Sequence, residues 1–393
     1  MPSRFISLSP LKSLFANQLI FSIIFAFANL FLNIFLWDEG KSFWGIGVFN
    51  LFSVSSIFLG SIAGAFLLQF LGTRSTFMIS SILALGLFIY LFQTGQAMEN
   101  ILPVLGILYG GYIGLFYIGF NLQILWLSRL GNRSYLLGIE STIATLAQLL
   151  TPFCAGLFIT NQGYSHTFLV IIGLLLLQFL LSASIPNMKL KEPYRKRYFF
   201  LAENEQMAKM GFTSAAYGFY FSFVQMSYGL FFFFFLQDEF QLGSWNLLFG
   251  AISSFMFWLV GRSLKQSNRD IILGMGMISS VMVTLTLLLS AAPWFILFNL
   301  IVSVSLPLMW IPAKSLHYTQ MAGDEAGEKK RKLGEMMQRL VFREFSISLG
   351  RICFFLLMIF GFDFGLGPAY YLMVTFACFM PVGIWLLSRN HGD

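Results

Sequence analysis

The chain has 393 residues, of which 57% are hydrophobic and only 10% are charged. Soluble domains carry about 25% charged residues, so a chain of this length has too few charges for a soluble surface. This composition excludes a soluble enzyme, a nucleic-acid-binding protein and a disordered scaffold, and it predicts a polytopic membrane protein.

Apolar segments long enough to cross a bilayer recur along the whole chain. A spanning helix needs about 20 apolar residues. Such segments fall near residues 13–37, 45–71, 76–96, 102–126, 137–160, 166–186, 210–236, 244–261, 271–291, 294–312, 341–361 and 367–388. We therefore predict an all-α membrane protein with twelve transmembrane helices. The first segment lacks a small-residue cleavage site, so we expect it to be retained rather than removed as a signal peptide.

Two longer connecting segments divide the predicted helices. Residues 188–209 are predicted to form a cytoplasmic linker between a six-helix bundle at 1–187 and a second bundle at 210–393. Residues 313–338 are predicted to form a long cytoplasmic loop within the second bundle. Two bundles of nearly equal length are typical of transporters built from repeats.

The positions of the charged residues predict the orientation. With the N-terminus in the cytoplasm, 20 of the 24 Lys and Arg residues fall in segments at the inner face, and Lys41 lies outside. The outer loops instead carry Asp38, Glu39, Glu99, Asp238, Glu239 and Asp363. This bias predicts cytoplasmic N- and C-termini in the cell membrane, and it explains the net charge of +7 without nucleic acid.

Four predicted helices, the first, fourth, seventh and tenth, carry polar or aromatic stripes. At 100° per residue, the polar residues of the first helix fall within about 60°. Polar groups in a bilayer are costly unless they face a bundle interior, so the stripes predict a substrate pathway. The alternative is that they bridge neighbouring helices. The predicted substrate-binding residues are Gln18, Ser22, Asn29, Asn33, Tyr109, Tyr112, Phe116, Gln123, Tyr217, Gln225, Tyr228, Asn299, Ser303 and Trp310.

The eleventh helix begins with charged residues. Glu344 and Arg351 are seven residues apart, so they share a face and lie about 10 Å apart along the axis. An arginine at bilayer depth costs about 2.5–3.5 kcal/mol on insertion scales. With Glu140 and Arg343, these residues are predicted to form a gate or a coupling site, or to bind an anionic group. The alternative is a structural pair, or side chains that extend to the interface.

Small residues three or four apart predict close contacts between helices. The second predicted helix contains Ser53, Ser56, Gly60 and Gly64, and the eleventh contains Ser346 and Gly350. In the tenth, Pro307 and Pro312 each remove a backbone hydrogen bond and permit a bend.

Two bundles of six, cytoplasmic termini and a basic linker resemble the major facilitator superfamily along the whole chain. Gly138, Ala147, Thr151-Pro152 and Ala155-Gly156 match the spacing of its helix-5 antiporter motif, with Ala, Thr and Ala at three glycine positions. Gly72 and Arg74 fit its helix 2–3 motif, in which Gln69 replaces the aspartate. Residues 132–135 and 343–351 are similar to uncharacterised facilitator-type permeases of Gram-positive bacteria.

The resemblance implies alternating access. Helices 1, 4, 7 and 10 would line the cavity, helices 2, 5, 8 and 11 would form the interface between the halves, and the others would support them. The polar stripes lie on the helices that the resemblance assigns to the cavity.

Catalytic signatures are missing from the sequence. The three histidines are scattered, and there is no HExxH motif, P-loop or G-x-S-x-G motif, so we expect neither an enzyme nor an ATP-driven pump. Selectivity rings typical of a channel are also absent. Cys154, Cys353 and Cys378 lie in separate apolar segments without CxxC spacing, so we expect no metal site or disulfide. A carrier remains.

The aromatic, mostly uncharged lining favours a small neutral or amphipathic solute, and we expect export. An uptake permease for a sugar or nucleoside is the alternative, and a lipid translocase or non-transporting receptor is an alternative of another class. We expect no cofactor, although H⁺ or Na⁺ could be the coupling ion. The expected partners are a small-molecule substrate and the lipid bilayer, with no nucleic acid, and we expect a monomer.

Overall fold

The computed structural model describes residues 8–40, 42–93, 101–127, 133–189, 205–265, 267–289, 292–362 and 366–388. All regular secondary structure in these ranges is helical, which confirms the predicted all-α class. Helix α1 has three consecutive parts, Leu8–Phe27, a π-helical turn Ala28–Leu32, and Asn33–Gly40. Next come α2 (Phe43–Phe70), α3 (Thr73–Gln93) and α4 (Leu102–Leu127). Residues Arg133–Ala183 are broken at Gly163, where φ is 77° and ψ is 172°, into α5 (133–162) and α6 (164–183).

The second half repeats this arrangement. Helix α7 comprises Glu205–Met226, a π-helical turn Ser227–Phe231, and Phe232–Leu236. It is followed by α8 (Glu239–Ser263), α9 (Arg269–Thr286, extended by a 3₁₀ turn Leu287–Leu289), α10 (Ala292–Ala322), α11 (Leu333–Phe362) and α12 (Leu366–Ser388).

Ten helical segments among the described residues are long and apolar enough to cross a membrane. One of them, Thr142–Ala183, contains the break at Gly163 and therefore covers parts of both α5 and α6. Helix α11 is not among the ten. The count of twelve spans and the side of the termini stay predictions.

The described part of the predicted loop at 313–338 is helical, and its residues 323–332 lie outside the described residues. Helix α10 continues to Ala322 and α11 begins at Leu333. Hydropathy marks only the apolar part of a helix, whereas polar residues can continue the helix beyond the bilayer. Helix α7 likewise begins at Glu205, inside the predicted linker 188–209, of which 190–204 lie outside the described residues.

Glycines allow close packing between α2 and α4. Gly106, Gly110 and Gly114 recur every four residues, and each faces the α2 backbone. The Oγ of Ser56 also donates a hydrogen bond to the carbonyl oxygen of Ile107 at 2.8 Å. Small residues at this spacing bring helix backbones together in membranes. The carbonyl oxygens that a Cβ at these glycines would meet belong to Phe49, Ser53 and Ile57.

A short motif relates the two halves. Gly47 and Asn50 of α2 occupy the same positions from the helix start as Gly243 and Asn246 of α8. The Nδ2 of Asn50 donates to the Oδ1 of Asn33 at 2.6 Å, next to the π turn of α1. The Nδ2 of Asn246 donates to the carbonyl oxygen of Tyr228 at 3.4 Å, within the π turn of α7. In both halves, therefore, an asparagine of the second helix donates a hydrogen bond to the first helix, at or next to its π turn.

Both ends of the bundle contain contacts between the halves. We call the end with Arg74, Lys209 and Lys265 the basic face, and the end with Trp37 and Asp238 the opposite face. At the opposite face, the rings of Trp37 and Phe234 are 4.8 Å apart. At the basic face, an apolar cluster joins α2 and α4 to α11. Its members are Ala65, Leu68, Ile118, Leu122, Met337, Leu340 and Val341.

Candidate functional site

Polar residues of α1 contact α2 and α4. The Oδ1 of Asn29 accepts a hydrogen bond from the hydroxyl of Tyr109 at 3.4 Å. The Nε2 of buried Gln18 donates to the Oγ of Ser22 at 3.2 Å, whereas the Oε1 of Gln18 is buried without a partner among the described residues. Asn33 contacts Asn50 instead of a central space. Two members of the predicted stripe, Asn29 and Asn33, therefore form hydrogen bonds with other helices.

Three predicted residues of α4 pack within the first half. The hydroxyl of Tyr112 donates to the Oε1 of Gln178 on α6 at 3.1 Å. The Nε2 of Gln123 donates to the Oγ1 of Thr73 at 2.8 Å. The ring of Phe116 stacks on Phe21, with centroids 3.9 Å apart. This geometry favours the alternative structural role for Tyr112, Phe116 and Gln123, and their role in substrate binding stays a prediction.

In the second half, α7 contacts α10 through Tyr228. Its hydroxyl lies 2.7 Å from the Oγ of Ser303 and donates to the carbonyl oxygen of Asn299 at 3.0 Å. The side-chain amide of Asn299 is fully buried, and neither of its polar atoms has a partner among the described residues. A buried amide without hydrogen bonds is costly, so this group could bind water or a ligand. Gln225 lies half-buried on the same helix.

Three stacked rings connect α7 and α10. The Tyr217 and Trp310 rings are 3.6 Å apart at an interplanar angle of 14°, and Phe221 continues the stack 5.4 Å from Tyr217. We call Trp310, Tyr217 and Phe221 the aromatic column. The Cζ of Arg343 lies 5.7 Å from the Trp310 ring, and the Cζ of Arg351 lies 5.6 Å from the Phe221 ring. Both distances fit cation–π contacts.

Tyr117 of α4 is a further member of the site. Its ring contacts Phe21 at 5.0 Å and Phe25 at 6.3 Å, both on α1. Its hydroxyl lies within electrostatic range of Glu140, Glu344, Arg351 and Tyr217. Tyr117 therefore lies near charged and aromatic residues of the second half, although it falls outside the predicted stripe of α4.

The four predicted gating or coupling residues lie around Tyr117 and the aromatic column. Arg343 donates to the Oε1 of Glu344 through Nη1 at 3.0 Å, and the Arg343 side chain is buried. Glu140 and Glu344 both act electrostatically on Tyr117, as does Arg351. The structure thus brings these residues to one region, and their role in gating or coupling stays a prediction. The described part of the chain contains no group of three or more His, Cys, Asp or Glu side chains that could hold a metal ion.

His317 is a buried histidine that sequence reasoning treated as a loop residue. It follows the apolar segment Pro293–Lys314 on α10, and its Nε2 lies 2.7 Å from the Oγ1 of Thr213. Its Nδ1 is buried without a partner in the described part of the chain. Burial, together with the nearby Arg343 guanidinium, lowers the pKa of His317 to about 3.

The pKa of His317 predicts lower stability in acid. Because the unfolded histidine takes up a proton near pH 6.5 and the folded one only near pH 3, stability falls as pH decreases between these values. We expect a loss of about 1.4 kcal/mol per pH unit below 6.5. Thermal unfolding of the purified protein between pH 7 and pH 5 measures this loss. His317→Gln removes the titrating group and should flatten the dependence, whereas His166→Gln at an exposed position should not. Equal slopes in wild type and His317→Gln would contradict the prediction.

Comparisons with known proteins support a membrane transporter. The chain is 23% identical over 366 residues to the uncharacterized protein YqgE of Bacillus subtilis, covering 86% of this chain and 80% of that protein. Its fold is similar to that of the human organic anion transporter MFSD10, with a TM-score of 0.71, 12% identity, and coverage of 98% and 100% of the two chains.

A POT family transporter crystallised with 5-aminolevulinic acid has a similar fold, with a TM-score of 0.72, 14% identity, and coverage of 99% of this chain and 98% of that one. At these identities the likeness concerns the fold alone. The family profile is more specific, because that of the Major Facilitator Superfamily matches residues 11–328. The chain is an integral membrane protein and a transporter rather than an enzyme, and it belongs to the Major Facilitator Superfamily.

Proposed function

We propose that this protein is a secondary active transporter that moves a small amphipathic solute across the cell membrane by alternating access. The observation that carries the proposal is the aromatic column of one half, which lies within electrostatic range of Tyr117 in the other half. A solute bound there would touch both halves, so movement of one half against the other would change its exposure.

The topology belongs to the same proposal. Twelve helices cross the cell membrane, with the basic face and both termini in the cytoplasm, as the distribution of Lys and Arg predicts. The protein acts as a monomer in the bilayer and binds a small-molecule substrate without nucleic acid or a bound cofactor. Glu140 and Glu344 are the acidic residues that would bind a coupling H⁺ or Na⁺. Both act electrostatically on Tyr117, so both lie close to the proposed binding site.

Export of amphipathic compounds is the direction that we favour. Stacked rings bind flat apolar surfaces with little demand on exact shape, which suits a carrier of lipophilic compounds. Uptake of a polar nutrient is the second candidate, and it is favoured by the buried amide of Asn299, whose unpartnered atoms could bind hydroxyl groups of a sugar or nucleoside.

Overexpression tests the export proposal. Cells that overproduce the protein should tolerate several unrelated hydrophobic toxins, and Trp310→Ala should remove this tolerance by opening the aromatic column. Trp258→Ala is the matched control, because Trp258 lies on α8 and is 56% exposed. Protein amounts in the membrane are compared by immunoblotting. Unchanged tolerance together with restored growth on one sugar or nucleoside would support uptake instead. A ligand that binds the purified protein but never crosses liposomes would exclude a carrier.

A further inference from the structure

Arg351 lies deep within α11. It is 18 residues after Leu333, which corresponds to about 27 Å along the helix. Residues 345–350 and 352–362 on either side contain no charged side chain. The neighbouring Leu349 and Cys353 are exposed, whereas Arg351 lies over Phe221 of α7. Arg351 therefore points into the protein rather than toward lipid.

Within the described ranges of the chain, the guanidinium of Arg351 has no anionic partner. Among the described residues it makes no ion pair, and its Nε is buried without a hydrogen-bond acceptor. The carboxylate of Glu344 is paired with Arg343. A charged arginine within a membrane protein is costly unless it meets an anion or water, and such residues mark functional sites.

The groups that face Arg351 do not form a lock between the halves. The Arg351 charge acts on the hydroxyls of Tyr109 and Tyr117 in the first half and on that of Tyr217 in the second. These phenols can donate hydrogen bonds, but they supply no negative charge at neutral pH. Helix α4 itself contains no carboxylate, and the first-half carboxylate of this region, Glu140, lies on α5 and acts on Tyr117.

We propose that Arg351 binds the anionic group of the transported solute, which makes the substrate an amphipathic organic monoanion such as an aryl carboxylate. The carboxylate accepts hydrogen bonds from the guanidinium and from the phenol of Tyr117, since the Tyr109 hydroxyl donates to Asn29. The apolar part of the solute lies on the aromatic column, next to Phe221. This inference rests on the proposed function and specifies the charge of its substrate.

Matched acids and amides test the charge preference. The full chain in nanodiscs of zwitterionic lipid is heated with 1-naphthylacetate, 4-phenylbutyrate or benzoate, and with the corresponding amides. A ligand of the folded state raises the unfolding temperature. We expect at least one acid to bind with about tenfold or higher affinity than its amide, because the neutral amide cannot form the charged hydrogen-bonded pair with Arg351. The proposal would be overturned if an amide binds as well as its acid. It would also be overturned if no acid raises the unfolding temperature at a concentration on the order of 10 mM, which would occupy even a weak site.

Variants test the role of Arg351. Arg351→Gln should reduce the affinity for the acid to that for the amide, and Arg351→Lys should retain part of the preference because it keeps the charge. Arg262→Gln is the control, because Arg262 lies 5.6 Å from the exposed ring of Trp258 at the basic face. If Arg351→Gln does not fold, the Arg351→Lys variant and the acid–amide comparison in wild type decide the question. An unchanged preference in Arg351→Lys and Arg351→Gln would overturn the proposal.

Flux in liposomes separates this inference from the proposed function. Radiolabelled acid that binds in an Arg351-dependent manner but does not cross the membrane would support the anion site and exclude a carrier. Equal flux of the acid and its amide would support a carrier and overturn the anion site. Anionic phosphatidylglycerol that raises the unfolding temperature through Arg351, while no small acid does, would identify a lipid site and overturn a solute site.

Discussion

Replacing Gly243 by valine is expected to abolish transport in a protein that still folds. A Cβ at Gly243 would lie 2.5 Å from the carbonyl oxygen of Pro152. Gly156 makes the reciprocal contact, because its Cβ would lie 2.5 Å from the carbonyl oxygen of Glu239. Backbone atoms cannot rotate away as side chains can, so α5 and α8 must separate where the halves meet at the opposite face. Overpacking costs about 1–3 kcal/mol, which shifts the population toward a state open at that face.

Accessibility of Leu30 measures this opening. Leu30 is buried and contacts the α7 π turn near Gly229. A Leu30→Cys reporter is introduced after serine has replaced the three native cysteines, and intact cells are treated with a membrane-impermeant thiol reagent. Labelling of the Leu30→Cys reporter should be about tenfold faster when it carries Gly243→Val than when it retains Gly243, since 1.4 kcal/mol corresponds to a tenfold population change.

Other glycines provide graded controls for Gly243→Val. Gly261→Val lies on the same helix, where no atom is within 4 Å, and it should leave labelling and transport unchanged. Gly47→Val should have a smaller effect, because its nearest contact is the Ile359 side chain, which can change rotamer. Equal labelling in Gly243→Val and Gly261→Val would contradict the role of the α5–α8 contact.

Hydropathy predicts most of the helices because the bilayer fixes the length of an apolar segment. The predicted segment at 102–126 and the observed helix Leu102–Leu127 differ by one residue. The predicted apolar segment 294–312 agrees with the observed apolar span Pro293–Lys314, but helix α10 continues beyond it because the polar sequence after Lys314 remains helical. The two helical segments on either side of Gly163 were predicted by the polar residues that interrupt the apolar pattern there.

The site was harder to predict, because periodicity shows which residues share a face but not what that face contacts. Tyr109 and Tyr117 of α4 lie about 80° apart on the helix and act on Arg351. Tyr112 and Gln123 lie about 40–60° to the other side of Tyr109 and contact α6 and α3. Within the predicted stripe, Tyr109 therefore lies on the side of Arg351, whereas Tyr112 and Gln123 contact neighbouring helices.

One signal in the sequence could have improved the prediction. The pattern G-x-x-N at Gly47–Asn50 recurs at Gly243–Asn246, and it would have aligned the two halves residue by residue. The π turns of α1 and α7 have no comparable signal, because they depend on packing between helices distant in sequence. The same holds for Glu344, because sequence distance alone does not show that it pairs with Arg343 rather than with Arg351.

Gly350→Val is expected to destabilise the second half more than any other substitution proposed for it. A Cβ at Gly350 would overlap the carbonyl oxygen of Ala215 and lie 2.9 Å from the amide nitrogen of Phe219. Gly218 of α7 faces the carbonyl oxygen of Ile347 in the same way. Small residues four apart, Ser346 and Gly350, predicted this contact between α11 and another helix. We expect a loss of about 3 kcal/mol, at the upper end for overpacking, because both neighbours are backbone atoms.

Thermal unfolding of purified protein measures the effect, with Gly383→Val on α12 as the control because no atom lies within 4 Å of its Cβ position. Equal unfolding temperatures of the two variants would contradict close backbone packing of α7 and α11.

Gly350 directly precedes Arg351, so the spacing that stabilises this half also sets the distance between Arg351 and Phe221. Any Gly350→Val protein that survives purification should therefore bind aryl carboxylates more weakly than Gly383→Val. A stability defect without that loss would show that the two helices can separate while Arg351 keeps its position.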